Sequence, residues 1–104
     1  MVLDGDRRGA LCAAAWGQEC VRTAAVVIGI AAVYARTIAK YAERGARYAL
    51  MEVGHAAQNV HLQAWALGLG TVVVGAFDDA RVNAVLGMAP DEAPLCLLPV
   101  GRRP

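Results

Sequence analysis

The chain has 104 residues, with ten Lys or Arg against nine Asp or Glu and a formal net charge of +1. This length makes one small domain, and the balanced charge, with no basic stripe interleaved with aromatics, excludes a nucleic-acid binder. Hydrophobic residues make up 58% of the sequence and charged residues 18%, more apolar side chains than a small body can bury, so an oligomer or a part of a larger fold is expected.

Met1 to Gly9 mixes acidic and basic residues and lacks the apolar stretch of a signal peptide. Residues 7–22 then read as a helix. Ala10, Leu11, Ala14, Ala15 and Val21 share an apolar side, and Asp6 is placed to cap the start. Cys12 and Cys20 lie in this stretch and Cys96 lies far away. An odd count without CxxC spacing argues against a zinc site or a disulfide framework. It fits free thiols in a reducing cytoplasm.

Ala24 to Val33 is a β-branched apolar run with no polar alternation, the pattern of a central strand covered on both faces. Residues 34–46 carry Arg36, Lys40, Glu43 and Arg44 and read as a short helix or ordered loop, broken at Gly45. Arg47 to Leu67 is the strongest element: long, Ala-rich, free of proline, and stopped by Gly68. Leu50, Met51, Val53, Ala57, Val60 and Trp65 make it apolar around most of its circumference, so it reads as a buried helix. Glu52, His55, Asn59 and Gln63 form one narrow polar stripe on it, which calls for a ligand, a second chain or a strand edge.

Thr71 to Gly75 reads as a second strand. Asp78 or Asp79 caps a helix through Ala80–Leu86, ended by Gly87. Leu95 to Val100 is a third strand. The two longest apolar runs, Thr23–Tyr34 and Ala64–Phe77, fall short of the ~20 residues that span a membrane. The predicted class is therefore α/β in the broad sense (α+β), a mixed sheet with a long buried helix, on one domain over residues 1–104.

His55 and His61 do not form HExxH or any ligand cluster, so no metal is assigned. Gly68, Gly70 and Gly75 run from helix to strand, the reverse of a dinucleotide-binding turn.

From Trp16 to Gly101 the chain resembles the nitroreductase-fold flavoenzymes, and within them the SagB-type dehydrogenases. The resemblance is carried in order by Gly17-Gln18 and the strand from Ala24 to Ile28, then by the Arg36–Tyr41 segment with Arg44-Gly45 and Arg47-Tyr48. It continues through Gly54–Asn59 with Leu67–Thr71, Gly75–Asp79, and Leu98–Arg102. It implies a nitroreductase-like half domain, the C-terminal half of the family fold, whose long helix forms an interface. It implies FMN at a homodimer interface and hydride transfer to or from the flavin. Val73, Val74, Gly75 and Ala76 would lie along the isoalloxazine ring, with Ala76 where the family often has glycine. Arg102 or Arg103 would approach the phosphate, a task suited to a guanidinium fork. Lys40 and Tyr41 match the catalytic Lys-Tyr pair, as an amine or phenol that takes a proton while hydride leaves. The family's N-terminal half, with its phosphate-gripping Arg/Ser motif, has no counterpart in residues 1–23. The implied partner is a second copy, or another chain supplying that half, and the implied substrate is a small molecule or a peptide-derived one. The alternative reading is a non-catalytic accessory subunit or truncated remnant that dimerises through the 47–67 helix.

Overall fold

The computed structural model describes residues 1–104. Its elements are α1 (Arg8–Ala14), α2 (Glu19–Thr23), β1 (Val26–Ala32), α3 (Tyr34–Tyr41), α4 (Arg44–Ala66), β2 (Leu69–Thr71), α5 (Asp79–Leu86) and β3 (Ala93–Arg102). The α+β class expected from the sequence is the class that forms. The three strands order as β1-β3-β2, and both pairings are antiparallel.

The single helix expected over residues 7–22 is two. Trp16 (φ 57°) and Gly17 (φ 75°) are left-handed and end α1 before α2 begins. A bulky residue such as Trp rarely adopts this conformation. Asp6 is not the N-cap, which is Arg7 and makes no side-chain cap bond, but it braces the first helical residue: its Oδ1 accepts the Arg8 amide hydrogen and its carboxylate pairs with the Arg8 guanidinium at 2.8 Å. That guanidinium holds the Asp6 carboxyl down to about 2. Leu11, Ala14, Ala15 and Val21 are buried as the pattern required, and Ala10 is exposed.

The central strand is β3, not the Ala24–Val33 run. β1 is an edge strand, and Val26 and Ile28 stand partly exposed on it. β3 fills both faces of the sheet by simple alternation. Leu97 joins Leu11, Ala14, Val21, Val74 and Val82 in a core under α1, α2 and α5. Cys96 and Leu98 point the other way and pack with Ala57 under α4. Leu97 and Leu98 are fully buried, each contributing about 1.5–3 kcal/mol by transfer from water. Burial also pushes the Cys96 thiol up from its ordinary range.

Two prolines sit in this central strand, where proline is normally excluded. Pro94 lies beside a register shift, with Ile30 opposite Cys96 and Ala31 opposite Pro94, so Leu95 is the bulged residue. Pro99 acts on the other side. Leu97 exchanges both backbone hydrogen bonds with Val74, at 2.8 and 2.9 Å. Thr71 pairs with Val100, so the same register sets Val72 opposite Pro99. Pro99 has no N–H to give toward Val72. The strand expected over Thr71–Gly75 accordingly stops at Thr71, and only Val74 bridges beyond it.

The long helix is longer than its pattern predicted, 23 residues, and Gly68 (φ 76°) follows it in the left-handed region. It is not buried all round within the chain. Its buried residues are Gly45, Ala49, Ala57 and Ala64, a strip of small side chains against the sheet and α3. Leu50, Met51, Leu62 and Trp65 are each more than half exposed. Nor does Gly45 break the chain: it lies in the first turn of α4, and the break is at Ala42 (φ 54°) and Glu43. Gly45 is needed because α3 crosses directly above it. A β-carbon there would lie 2.6 Å from the Ile38 nitrogen.

The last helix formed as read. Asp78 is the N-cap and accepts the Arg81 amide at 3.1 Å, and Gly87 closes the helix in the left-handed region. No helix is long and apolar enough to cross a membrane.

Candidate functional site

Beyond β2 the chain leaves the sheet, returns at Val74, and leaves again through Gly75, Ala76 and Phe77 to the cap at Asp78. Val73 is 47% exposed and Val74 only 3%. The Val74 side chain is core, and its N–H and C=O are both taken by Leu97. Gly75 and Ala76 are exposed, and a β-carbon on Gly75 would meet no atom within 4 Å. The amides of Gly75, Ala76 and Phe77 make no hydrogen bond to the rest of the chain.

This open loop is tied at both ends and once in the middle. Val74 is bonded to Leu97, and the Asp78 amide donates to the Ala14 carbonyl at 2.9 Å. Between them the Gln18 side-chain amide donates to the Ala76 carbonyl at 2.9 Å and to the Ala15 carbonyl at 3.0 Å. The Phe77 ring packs on the core below.

Lys40 and Tyr41 end α3, and both are exposed. The Tyr41 ring meets Tyr48 of α4 edge to face, with centroids 5.2 Å apart, and the Lys40 Nζ lies 5.3 Å from the Tyr41 centroid. Tyr48 belongs to this cluster, and the sequence reading used it only as part of a motif.

Arg102 closes β3 and Arg103 follows it. The Arg103 guanidinium stacks 3.8 Å above the Trp65 ring of α4. Gly70 permits this, since a β-carbon there would lie 3.1 Å from the Arg103 Cγ. Beside them is an open pocket of about 580 Å³, lined in part by Thr23, Thr71, Arg102 and Arg103. The Thr71 Oγ1 is buried there without a hydrogen-bond partner. A larger groove, about 850 Å³, runs along the free edge of β1 between the N-terminal residues and Leu86 and touches none of the candidate residues.

The structure thus gathers Lys40 with Tyr41, and Arg102 and Arg103 with the β2 end of the sheet, but it does not bring the two groups together. Tyr48 and Trp65 mark them near opposite ends of α4, and the helical rise of ~1.5 Å per residue sets about 25 Å between them. The polar stripe of Glu52, His55, Asn59 and Gln63 is exposed in the single chain, with His55 4.0 Å from Glu52. No group of three His, Cys, Asp or Glu side chains converges as a metal cradle. Gln18, Thr71 and Trp65 were not singled out as site residues from the sequence. A glutamine directly after a glycine is the one local signal that could have flagged Gln18.

The nitroreductase family profile matches residues 5–102. A provisionally named nitroreductase of Methanocaldococcus jannaschii is 49% identical over 102 residues, which is 98% of this chain and 50% of that protein. Among solved structures, a provisionally named nitroreductase from Anabaena variabilis superposes with a TM-score of 0.87 at 38% identity, covering 96% of this chain and 20% of its own. The NADPH:FMN oxidoreductase from Vibrio harveyi, solved with NAD+, gives a TM-score of 0.80 at 27% identity, covering 97% of this chain and 47% of its own. The chain therefore spans half the length of its M. jannaschii relative. With nearly its whole length matched in sequence and in backbone course, the chain is a member of the nitroreductase family.

Proposed function

We propose that the chain forms part of an FMN-dependent oxidoreductase of the nitroreductase kind, of the SagB-type dehydrogenase branch, and supplies one wall of the flavin site. The observation that carries this is the exposed Gly75–Phe77 loop. Three consecutive backbone donors stand unpaired on a loop tied down on either side, in a chain whose structural neighbours include an NADPH:FMN oxidoreductase.

The residues fit FMN. Unpaired amides suit a ring edged with acceptor atoms, and the unpartnered Thr71 hydroxyl beside Arg102 and Arg103 suits a phosphate. FMN, when bound, supplies two-electron hydride chemistry. The chain's own residues bind and move the proton. Gly75 to Phe77 hold the ring edge, Arg102 or Arg103 holds the phosphate, and the Lys40 amine or Tyr41 phenol takes a proton from the substrate.

One chain leaves these groups about 25 Å apart along α4. Two copies packed with their α4 helices antiparallel would set the Lys40–Tyr41 end of one against the Arg102–Arg103 end of the other. Leu50, Met51, Leu62 and Trp65, left in solvent by the single chain, would cover one another in that arrangement. A partner supplying an N-terminal half would complete the phosphate grip. The substrate is a small or peptide-derived molecule.

Titration with FMN, followed by flavin absorbance and fluorescence, tests the reading on the chain alone and with a chain supplying the N-terminal half. Saturable binding in either case is expected, and no uptake in both ends the proposal. The same separation along α4 favours a second reading, a non-catalytic accessory subunit that dimerises through that helix. Under it, flavin binds the complex but Lys40 has no part in turnover.

A further inference from the structure

Gln18 has no role in the chemistry proposed above, yet its side chain makes the only polar tie to the middle of the open loop. Its carboxamide nitrogen reaches two carbonyl oxygens, Ala15 O at 3.0 Å and Ala76 O at 2.9 Å. Two acceptors need two N–H donors, which fixes the orientation of the amide group. The backbone of Gln18 is also held: its carbonyl accepts the Val21 amide at 3.0 Å and the Cys12 thiol at 3.3 Å. The left-handed Gly17 just before it turns the chain from α1 to α2. Gln18 is thus a fixed arm reaching across to the loop.

We infer that Gln18 is a positioning residue that turns the Ala76–Phe77 peptide so that the Phe77 N–H faces the bound ligand. In a trans peptide the C=O and the following N–H point in opposite directions. Drawing the Ala76 oxygen toward Gln18 therefore sends the Phe77 N–H away from the protein, where it has no partner in the chain. Without Gln18, the loop is tied only at Val74 and Asp78, and the peptide between them is free to rotate. A fixed donor costs no reorganisation when a ligand atom beside it gains negative charge, so it favours the electron-rich form of that ligand. The ligand end of this inference rests on the flavin reading above.

Gln18→Glu keeps the size of the side chain and removes both N–H donors, and Gln18→Ala removes the arm. In 15N-labelled protein, both changes are expected to shift the amide resonances of Gly75 to Asp78. Those of Val82 and Leu98, in the core, stay in place and report that the chain is folded. In the FMN titration, with the N-terminal-half chain where binding needs it, the dissociation constant should rise about tenfold, the order expected for one lost hydrogen bond. The flavin midpoint potential should move to more negative values, a change that mere loosening of the fold would not direct. Unmoved loop resonances overturn the clamp. Moved resonances with wild-type affinity and potential overturn the ligand end alone. If the unsubstituted protein takes no FMN, the flavin reading and the ligand end fall together, and the clamp is still decided by the resonances.

Discussion

Gly45 sits so close under Ile38 that α3 and α4 touch backbone to backbone: a β-carbon at position 45 would lie 2.6 Å from the Ile38 nitrogen and 2.7 Å from its Cα. Neither atom is the end of a flexible side chain, so α3 itself must move to admit a methyl group. Gly45→Ala is expected to cost about 1–3 kcal/mol, the range for forced overpacking. This outweighs the gain of up to ~1 kcal/mol that replacing glycine by alanine brings in a helix. Thermal unfolding measures the net loss. A variant at least as stable as the parent would mean that α3 does not cross where described.

Lys40 is exposed and makes no hydrogen bond or ion pair, only its approach to the Tyr41 ring. Lys40→Ala should therefore change stability by no more than about 0.5 kcal/mol. If the amine takes the substrate proton, turnover of the flavin-loaded complex falls by roughly 10²–10⁴-fold. Turnover unchanged within twofold would remove Lys40 from the chemistry and favour the accessory-subunit reading.

The three cysteines differ sharply in access. Cys20 is exposed, while Cys12 and Cys96 are buried, and Cys96 has its thiol pushed up by burial. The thiolate is the reacting form. Brief alkylation of the folded chain at neutral pH should add one label, at Cys20, and labelling in denaturant should add three. Mass spectrometry of peptides reads the positions. Prompt labelling of Cys96 would contradict its place under α4.

Acid should weaken the start of α1. The Asp6 carboxyl is held down to about 2, against an ordinary 3.8, first by the hydrogen bonds from the Arg8 side chain and backbone. A carboxyl depressed in the folded state stabilises it above the unfolded pKa, and that contribution is lost as pH falls through the folded one. The loss attributable to Asp6 should fall between about pH 4 and pH 2. Asp6→Asn should flatten the stability curve in that window and leave its shape at neutral pH unchanged, as followed by urea unfolding at each pH.

The sequence was most legible where a local rule acted alone. Asp78 and Gly87 bracket α5 because a capping carboxylate and a left-handed glycine decide helix ends within a few residues. The end of α4 at the left-handed Gly68 is plain for the same reason, whereas its start at Arg44 has no side-chain cap to mark it. What misled was context. An apolar run such as Val26–Ala32 reads the same on an edge as in the centre, and only pairing with β3 settles which it is. Gly45 looked like a terminator, but its reason lies in Ile38, which no local pattern reveals. Of the candidate site, the Lys40–Tyr41 pair came only from the resemblance to the family's Lys-Tyr motif, since nothing in the local pattern marks an exposed lysine beside a tyrosine as chemical. The tie from Gln18 to Ala76 spans 58 positions and had no signature of its own.

The proline opposite Val72 has one more consequence. Because Pro99 leaves that rung of the ladder unmade, Val72 and Val73 can shift without breaking a strand hydrogen bond. The segment leading into the Gly75–Phe77 loop is therefore free of ladder bonds, while Val74 and Asp78 on either side of the loop are anchored. In the flavin site proposed above, such a seam would let the loop adjust to the thickness of a guest while the sheet behind it keeps its register.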